Sequence, residues 1–388
     1  MLLSLAIIFI SCLFVSKLFE KMHLPSLLGM ILLGILFGPY AFNLIDASIL
    51  LNSNAFRQIA LVIILTRAGL SLNLQDLKQF SLTTLLLCFV PACLEILGIT
   101  IFAPLFFDIS YIDALLIGSV LAAVSPAVLV PRMIKLIDEG YQKVPQMLLA
   151  AASVDDVFVL VLFSAFTNLA TSSQIRWTYF LQIPTSIILG ILLGIITGYF
   201  IHIVFKFVKL KTTYQILFML AIAFLLLSLE TILKPYIAIS ALLAIMTYSI
   251  VIKYLNKQQA LIFANNYLTL WQVFEILLFF LVGTCVDLTY LLQASILSIV
   301  LIFIALLFRM IGVACCFIKT TFPLKERLFT MIAYIPKATV QAGIAAIPLQ
   351  LGLSCGPLCL TLGVLSILIT ATLGAIGIDF SYQKLLHK

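Results

Sequence analysis

Apolar runs recur along the whole chain, each bounded by charge, proline or glycine. They fall at roughly 2–19, 24–42, 56–73, 79–105, 111–134, 144–170, 177–205, 213–233, 236–253, 262–286, 290–318, 326–350 and 355–380. A helix of about 20 apolar residues spans the hydrocarbon of a bilayer, so each run predicts one crossing. The pattern predicts an all-α polytopic membrane protein of about 13 transmembrane helices, with short loops and no room for a soluble domain between them. The first run resembles the apolar centre of a signal peptide. It has neither a basic start nor a convincing small-residue cleavage site, and reads as a retained span.

Composition sharpens this picture. The 388 residues are 64% hydrophobic and 10% charged, against about 45–50% apolar and about 25% charged in a soluble chain. The loops after odd-numbered runs hold Lys17, Lys21, Lys78, Arg132, Lys135, Lys143, Lys206, Lys209, Lys211, Lys253, Lys257, Lys319, Lys325 and Arg327, with Lys384 and Lys388 in the tail. Those after even-numbered runs hold only Arg57, Arg176 and Lys234. The positive-inside rule makes the basic side cytoplasmic, which puts the N-terminus outside and the C-terminus in the cytoplasm of a bacterial-type cell membrane. The net charge of +7 is then a consequence of topology. A nucleic-acid partner would need a basic patch on a soluble surface; the predicted partner is membrane lipid. Cys12, Cys88, Cys93, Cys315, Cys316 and Cys359 lie in apolar runs without metal-ligand spacing and read as small packing residues.

Some charges stand where a bilayer should exclude them. An ionisable group at mid-membrane costs at least ~2.5–3.5 kcal/mol, yet the runs contain Glu95, Asp155, Asp156, Arg309 and Lys337, with Glu275 as a sixth candidate. Arg67 lies near the cytoplasmic end of its run, where a long side chain reaches the headgroups. A fixed ion pair, Glu95 with Arg309, is the purely structural reading of such charges. The adjacent aspartates resist it. Neighbouring helix positions point about 100° apart, so one carboxylate can lean on a buried base while the other faces a cavity. Desolvation favours the neutral acid and a nearby Lys or Arg favours the anion. A group between these influences can exchange a proton for a cation.

Two runs are also interrupted. The fifth reads Val124-Ser125-Pro126-Ala127-Val128-Leu129-Val130-Pro131, and the twelfth Pro336-Lys337-Ala338-Thr339-Val340-Gln341-Ala342-Gly343, followed by Pro348. Each proline removes a backbone donor and clashes with the preceding turn. A simple kink is the bland reading, since membrane helices tolerate proline. Broken spans at corresponding positions of two halves point instead to a transporter's midplane site. Runs 4–6 and 11–13 form such a pair of three-helix groups, of opposite orientation if run 7 connects them. Lys337 is suited to quiet exposed carbonyl ends, and a carboxylate to quiet amide ends.

At these residues the chain is similar to the monovalent cation/proton antiporter superfamily, within its two-aspartate branch. The stretch 124–131, then Ala150-Ala151-Ala152-Ser153-Val154-Asp155-Asp156, resembles the NHA-type sodium/hydrogen exchangers, as does Pro336-Lys337-Ala338-Thr339-Val340-Gln341-Ala342. Leu24-Pro25 with Gly29, Gly34, Gly38 and Pro39, and Arg67-Ala68-Gly69-Leu70, support it. The resemblance covers almost the whole chain. It implies an NhaA-like fold with inverted repeats and two crossed discontinuous helices. The implied ion-translocation core is about 79–170 and 290–380, the dimerisation panel about 2–73 and 213–286, and the linker helix about 177–205, in a homodimer. It further implies that Asp156 carries the cation and proton, with Asp155 accompanying it. Arg309 and Lys337 would be the bases of the site and Glu95 the acid paired with such a base. Ser125 and Thr339, at the breaks beside Pro126, would offer oxygens to the cation.

The expected function is secondary exchange of Na⁺ or Li⁺ for H⁺ by alternating access, with no cofactor. No P-loop is present, so the proton gradient supplies the energy. A potassium/proton exchanger is the alternative within the superfamily; its potassium-efflux members usually append a nucleotide-sensing domain, which the tail 381–388 does not. A channel would need a continuous pathway, and no filter loop is evident. An intramembrane aspartyl hydrolase would need carboxyl groups meeting across a site, whereas adjacent residues diverge on one helix.

Overall fold

Proline and glycine set where the helices stop. In the computed structural model, residues 1–22, 24–71, 82–171, 177–233, 237, 239–318 and 320–387 are described, without the side chains of 153, 157, 177–184 and 288–295. Lys78, Arg176, Lys234, Lys319 and Lys388 of the charge pattern lie outside them. The first helices are α1 (Leu2–Lys21), α2 (Ser26–Phe37), α3 (Ala47–Leu51) and α4 (Ser53–Ser71). The second run was expected to reach residue 42, but α2 ends at Phe37. Gly38 is extended there, because the ring of Pro39 disfavours a helical residue before it.

The chain continues through α5 (Leu82–Leu87), α6 (Val90–Phe107), α7 (Tyr111–Leu121), α8 (Pro126–Asp138) and α9 (Lys143–Thr171). Next come α10 (Trp177–Phe207), α11 (Thr212–Leu233), α12 (Ala241–Leu255), α13 (Lys257–Thr284) and α14 (Leu288–Cys316). The last elements are α15 (Leu324–Ala333), α16 (Thr339–Ile344), α17 (Ile347–Gln350) and α18 (Gly356–Leu385). Among the described residues, nine helical stretches are long and apolar enough to cross a membrane. Burial ranks them: 72% of the best window in Tyr111–Asp138 is buried, against 17% in Leu2–Lys21. The interrupted stretch is therefore interior, and α1 peripheral. Outward-facing Leu105, Ile196 and Phe207 are suited to lipid, because an apolar solvent carries no penalty for them.

Among the described residues, three runs are broken. The break between α7 and α8 follows Pro126, which opens α8 without an N–H; Ser125 before it is extended. The second break, between α15 and α16, is the non-helical stretch 335–338, with Pro336 inside it. The third break, at Cys88–Phe89, was not expected in the run at 79–105. Its cause is Pro91, which cannot donate to the carbonyl four residues back. That carbonyl, Leu87 O, instead accepts from the Tyr334 hydroxyl at 3.1 Å.

The chain forms two compact units. The first comprises Met1–Asn54, Asp76–Val159 and Ile276–Lys388, the second Ala55–Gln75 and Leu160–Glu275. In the second, α10 packs along α12, and Thr66 and Tyr248 share a buried hydrogen bond of 3.3 Å. Arg67 is half-buried there, with Glu275 as electrostatic neighbour, and Trp271 bonds the Glu275 side chain. Arg67, expected at the headgroups, thus also has an acid within electrostatic reach.

In the first unit, α6 packs along α14. They pack backbone on backbone at Gly312, where an added Cβ would lie 2.6 Å from Pro91 Cα. Overpacking of this kind costs about 1–3 kcal/mol. Gly312→Ala is expected to lower the melting temperature in detergent by several degrees. An unchanged transition would show that the helices can separate freely at this point.

Candidate functional site

The site is assembled where α6 and α14 run side by side. Pro91 faces Gly312 and Gly98 faces Phe308, so the stretch between them holds Glu95 opposite Arg309. Both are fully buried. Arg309 Nη1 donates to Glu95 Oε2 at 2.7 Å, and Nη2 to Asp155 Oδ2 at 3.1 Å. Its Nε donates to Tyr334 O at 3.0 Å, and Nη1 also reaches the Ala122 carbonyl. The Tyr334 ring lies 5.2 Å from the guanidinium carbon, within cation–π range. A planar fork of five donors suits four such acceptors.

Lys337 enters from the other interrupted stretch. Its Nζ lies 2.6 Å from Glu95 Oε1 and donates to Leu121 O at 2.5 Å. Its backbone N–H donates to Thr370 Oγ1 at 3.0 Å, which anchors the non-helical segment to α18. The two interruptions meet directly: Ser125 N donates to Pro336 O at 2.8 Å. Val124 N donates to Asp155 Oδ2 at 2.9 Å. The lysine therefore quiets a carbonyl end and a carboxylate quiets an amide end, as the charge pattern suggested.

The structure thus brings together Glu95, Asp155, Arg309 and Lys337, and sets them against both breaks. Asp156 differs from its neighbour in being half-buried and in having neither oxygen held by a base or an amide among the described residues; the Oδ1 atoms of both are buried and unpaired. Ser125 caps α8 and Thr339 opens α16, with the oxygens of both side chains unpaired. Glu275 belongs to the second unit, beside Arg67. Two participants escaped the sequence reading. Tyr334 supplies a carbonyl and a ring to Arg309. Gln341, fully buried, donates from Nε2 to Ala123 O at 2.8 Å and to Leu121 O at 3.3 Å. Gln341 stood within the quoted motif, but only the fold reveals what it touches.

Bundled membrane-spanning helices that break around a buried, charge-balanced crossing define a multi-pass membrane transporter. Residues 5–382 match the family described as "Sodium/hydrogen exchanger, transmembrane". The chain belongs to this family, whose activity is cation/proton antiport. It is similar to sodium/hydrogen exchanger 9B2 of Homo sapiens, 30% identical over 380 residues, covering 94% of this chain and 70% of that protein. To sodium/hydrogen exchanger 9B1 of Homo sapiens it is 29% identical over 414 residues, covering 100% and 78%. Its fold matches the sodium proton antiporter MjNhaP1 from Methanocaldococcus jannaschii with a TM-score of 0.84, at 19% identity, over 99% of this chain and 98% of that one. The chain is a transporter, not an enzyme, and the all-helical polytopic fold expected from its apolar runs is that of MjNhaP1.

Burying an ion carries a penalty of several kcal/mol even after relaxation. Only mutual neutralisation and the carbonyl bonds offset it here. Removing one partner strands a charge and costs about 3–5 kcal/mol. Glu95→Gln and Lys337→Met are each expected to lower the melting temperature by about 10 °C. The double variant restores charge balance and should lose clearly less than their sum. Additive losses would show that the two groups do not act as a pair.

Proposed function

We propose that the protein exchanges Na⁺ or Li⁺ for H⁺, and that Asp156 is the group for which they compete. The observation that carries this reading is the contrast between the two aspartates. Each has a buried, unpaired Oδ1, but the other oxygen of Asp155 is held by Arg309 and by Val124 N, whereas among the described residues no hydrogen bond or ion pair holds Asp156. A carboxylate of the second kind gains from any positive partner that reaches it. Proton and alkali cation are alternatives, because either neutralises it. Hard oxygen donors suit these ions, and Ser125 and Thr339 are candidates to complete the shell.

The surrounding charges favour one-for-one exchange. Glu95 and Asp155 carry two negative charges and Arg309 and Lys337 two positive ones, so the network is neutral without Asp156. Asp156 is then neutral with either a proton or a monovalent cation bound. The site crosses the membrane uncharged in both forms, and the cycle is electroneutral.

The moving parts proposed are the core of about 79–170 and 290–380 against the panel of about 2–73 and 213–286, with 177–205 as linker. This division cuts across the packing units, which follow contact and not motion. Helices found at the expected runs support about 13 crossings, with the N-terminus outside and the C-terminus cytoplasmic. The broken stretches in 111–134 and 326–350 support two inverted three-helix groups with crossed discontinuous helices. A homodimer through the panel completes the reading.

Reconstituted proteoliposomes with an imposed pH gradient test it. Wild type should collapse the gradient on addition of Na⁺ or Li⁺, without sensitivity to a clamped membrane potential. Asp156→Asn should abolish exchange. Full activity of that variant would sink the assignment; currents without coupled proton flux would favour a channel, and a response to K⁺ alone the potassium exchanger.

A further inference from the structure

We infer that Gln341 is a further cation-binding residue: its carboxamide nitrogen is fixed on the unwound carbonyls, which leaves its oxygen as a neutral ligand for the transported ion. This rests on the antiport reading above and concerns how the cation is held, not whether it is exchanged.

Gln341 lies on α16, three residues after the break at 335–338, and is fully buried. Its Nε2 donates to Ala123 O and Leu121 O. Carbonyls accept only, so this end of the carboxamide must be the nitrogen. The orientation is thereby set from outside the side chain. Oε1 must point the other way, and it is a buried atom without a hydrogen-bond partner. An acceptor left this way costs about 1–3 kcal/mol, and such atoms are rare enough that each requires a cause. A Leu at this position would avoid the orphan acceptor, though at the expense of the two carbonyls.

The chemistry of the unpaired atom indicates its ligand. It is an oxygen without a proton, so it serves a cation or a donor and nothing else. The unwound stretch it grips carries Ser125, whose Oγ is also buried and unpaired, and is joined through Val124 N to Asp155, next to Asp156. A dehydrated alkali ion needs several oxygens, and one carboxylate supplies its charge but too few of them. A carboxamide adds a ligand without adding charge. It therefore governs affinity and choice among ions, while the one-for-one stoichiometry stays with Asp156.

Gln341→Leu and Gln341→Met, reconstituted beside wild type and Asp156→Asn, test the inference by exchange kinetics with Li⁺, Na⁺ and K⁺. Loss of one ligand of this strength is expected to raise KM for the preferred ion by about tenfold, with a smaller change in maximal rate. The ratio of KM values between Li⁺ and Na⁺ should also shift. Gln341→Glu keeps oxygens but loses the donor when ionised, so its exchange should survive only at pH low enough to protonate it. Unaltered KM and ion preference in the Leu and Met variants would overturn the inference, as would failure of both to fold, which assigns Gln341 to the carbonyls alone. In either case exchange by wild type and its loss in Asp156→Asn leave the antiport reading standing. A wild type without exchange removes both.

Discussion

An unwound backbone segment inside a membrane protein has no water to bond, so every amide and carbonyl it frees must find a partner in the protein. The rest of this structure depends on that constraint. Along 121–125 the partners can be named in turn. Leu121 O takes Lys337 and Gln341, Ala122 O takes Arg309, and Ala123 O takes Gln341. Val124 N finds Asp155 and Ser125 N finds Pro336 O. Charges that would be ruinous alone at this depth are therefore the means by which the break is tolerated. The break in turn explains why the charges are there.

Two requirements then meet in one cluster. Leu121 O and Ala122 O are satisfied by the cations Lys337 and Arg309, and burying cations requires anions near them. Glu95 and Asp155 fill that need and leave the cluster neutral. Asp156 is the remainder: it follows Asp155 by one residue, is rotated away by the helix, and keeps an oxygen without a partner. On the proposed reading, a proton or metal ion at Asp156 meets a background whose charges already cancel, so small differences between the two would decide occupancy.

Much of this was legible in the sequence. Apolar runs gave the helices because length and hydropathy are local properties. Pro126 and Pro336 gave two breaks, and the charge at bilayer depth singled out Glu95, Asp155, Asp156, Arg309 and Lys337. Partners were harder to read. Glu95 and Arg309 are 214 positions apart, and it is the packing of Pro91 on Gly312 and of Gly98 on Phe308 that fixes their register. Pro91 itself was visible but not weighed, since the break it causes is stabilised from far away by Tyr334. Arg67 looked like a headgroup anchor because Glu275 is distant in sequence. Gln341 carries no charge, so nothing in a hydropathy pattern distinguishes it from a tolerated polar residue.

The location of the partners also bears on movement. Among the described residues, the hydrogen bonds and ion pairs of the crossing join residues of the first unit, from Leu121 to Asp155 and from Arg309 to Thr370. Within such a network, changing one contact at bilayer depth exposes a charge or a carbonyl to hydrocarbon, at several kcal/mol each. Sliding the crossing helices past one another would break many such contacts at once. A displacement that carries the whole network breaks none. On the proposed role of Asp156, rigid transport of the intact network is the low-energy way to expose it to either side, and the same bonds that tolerate the break would keep its geometry unchanged.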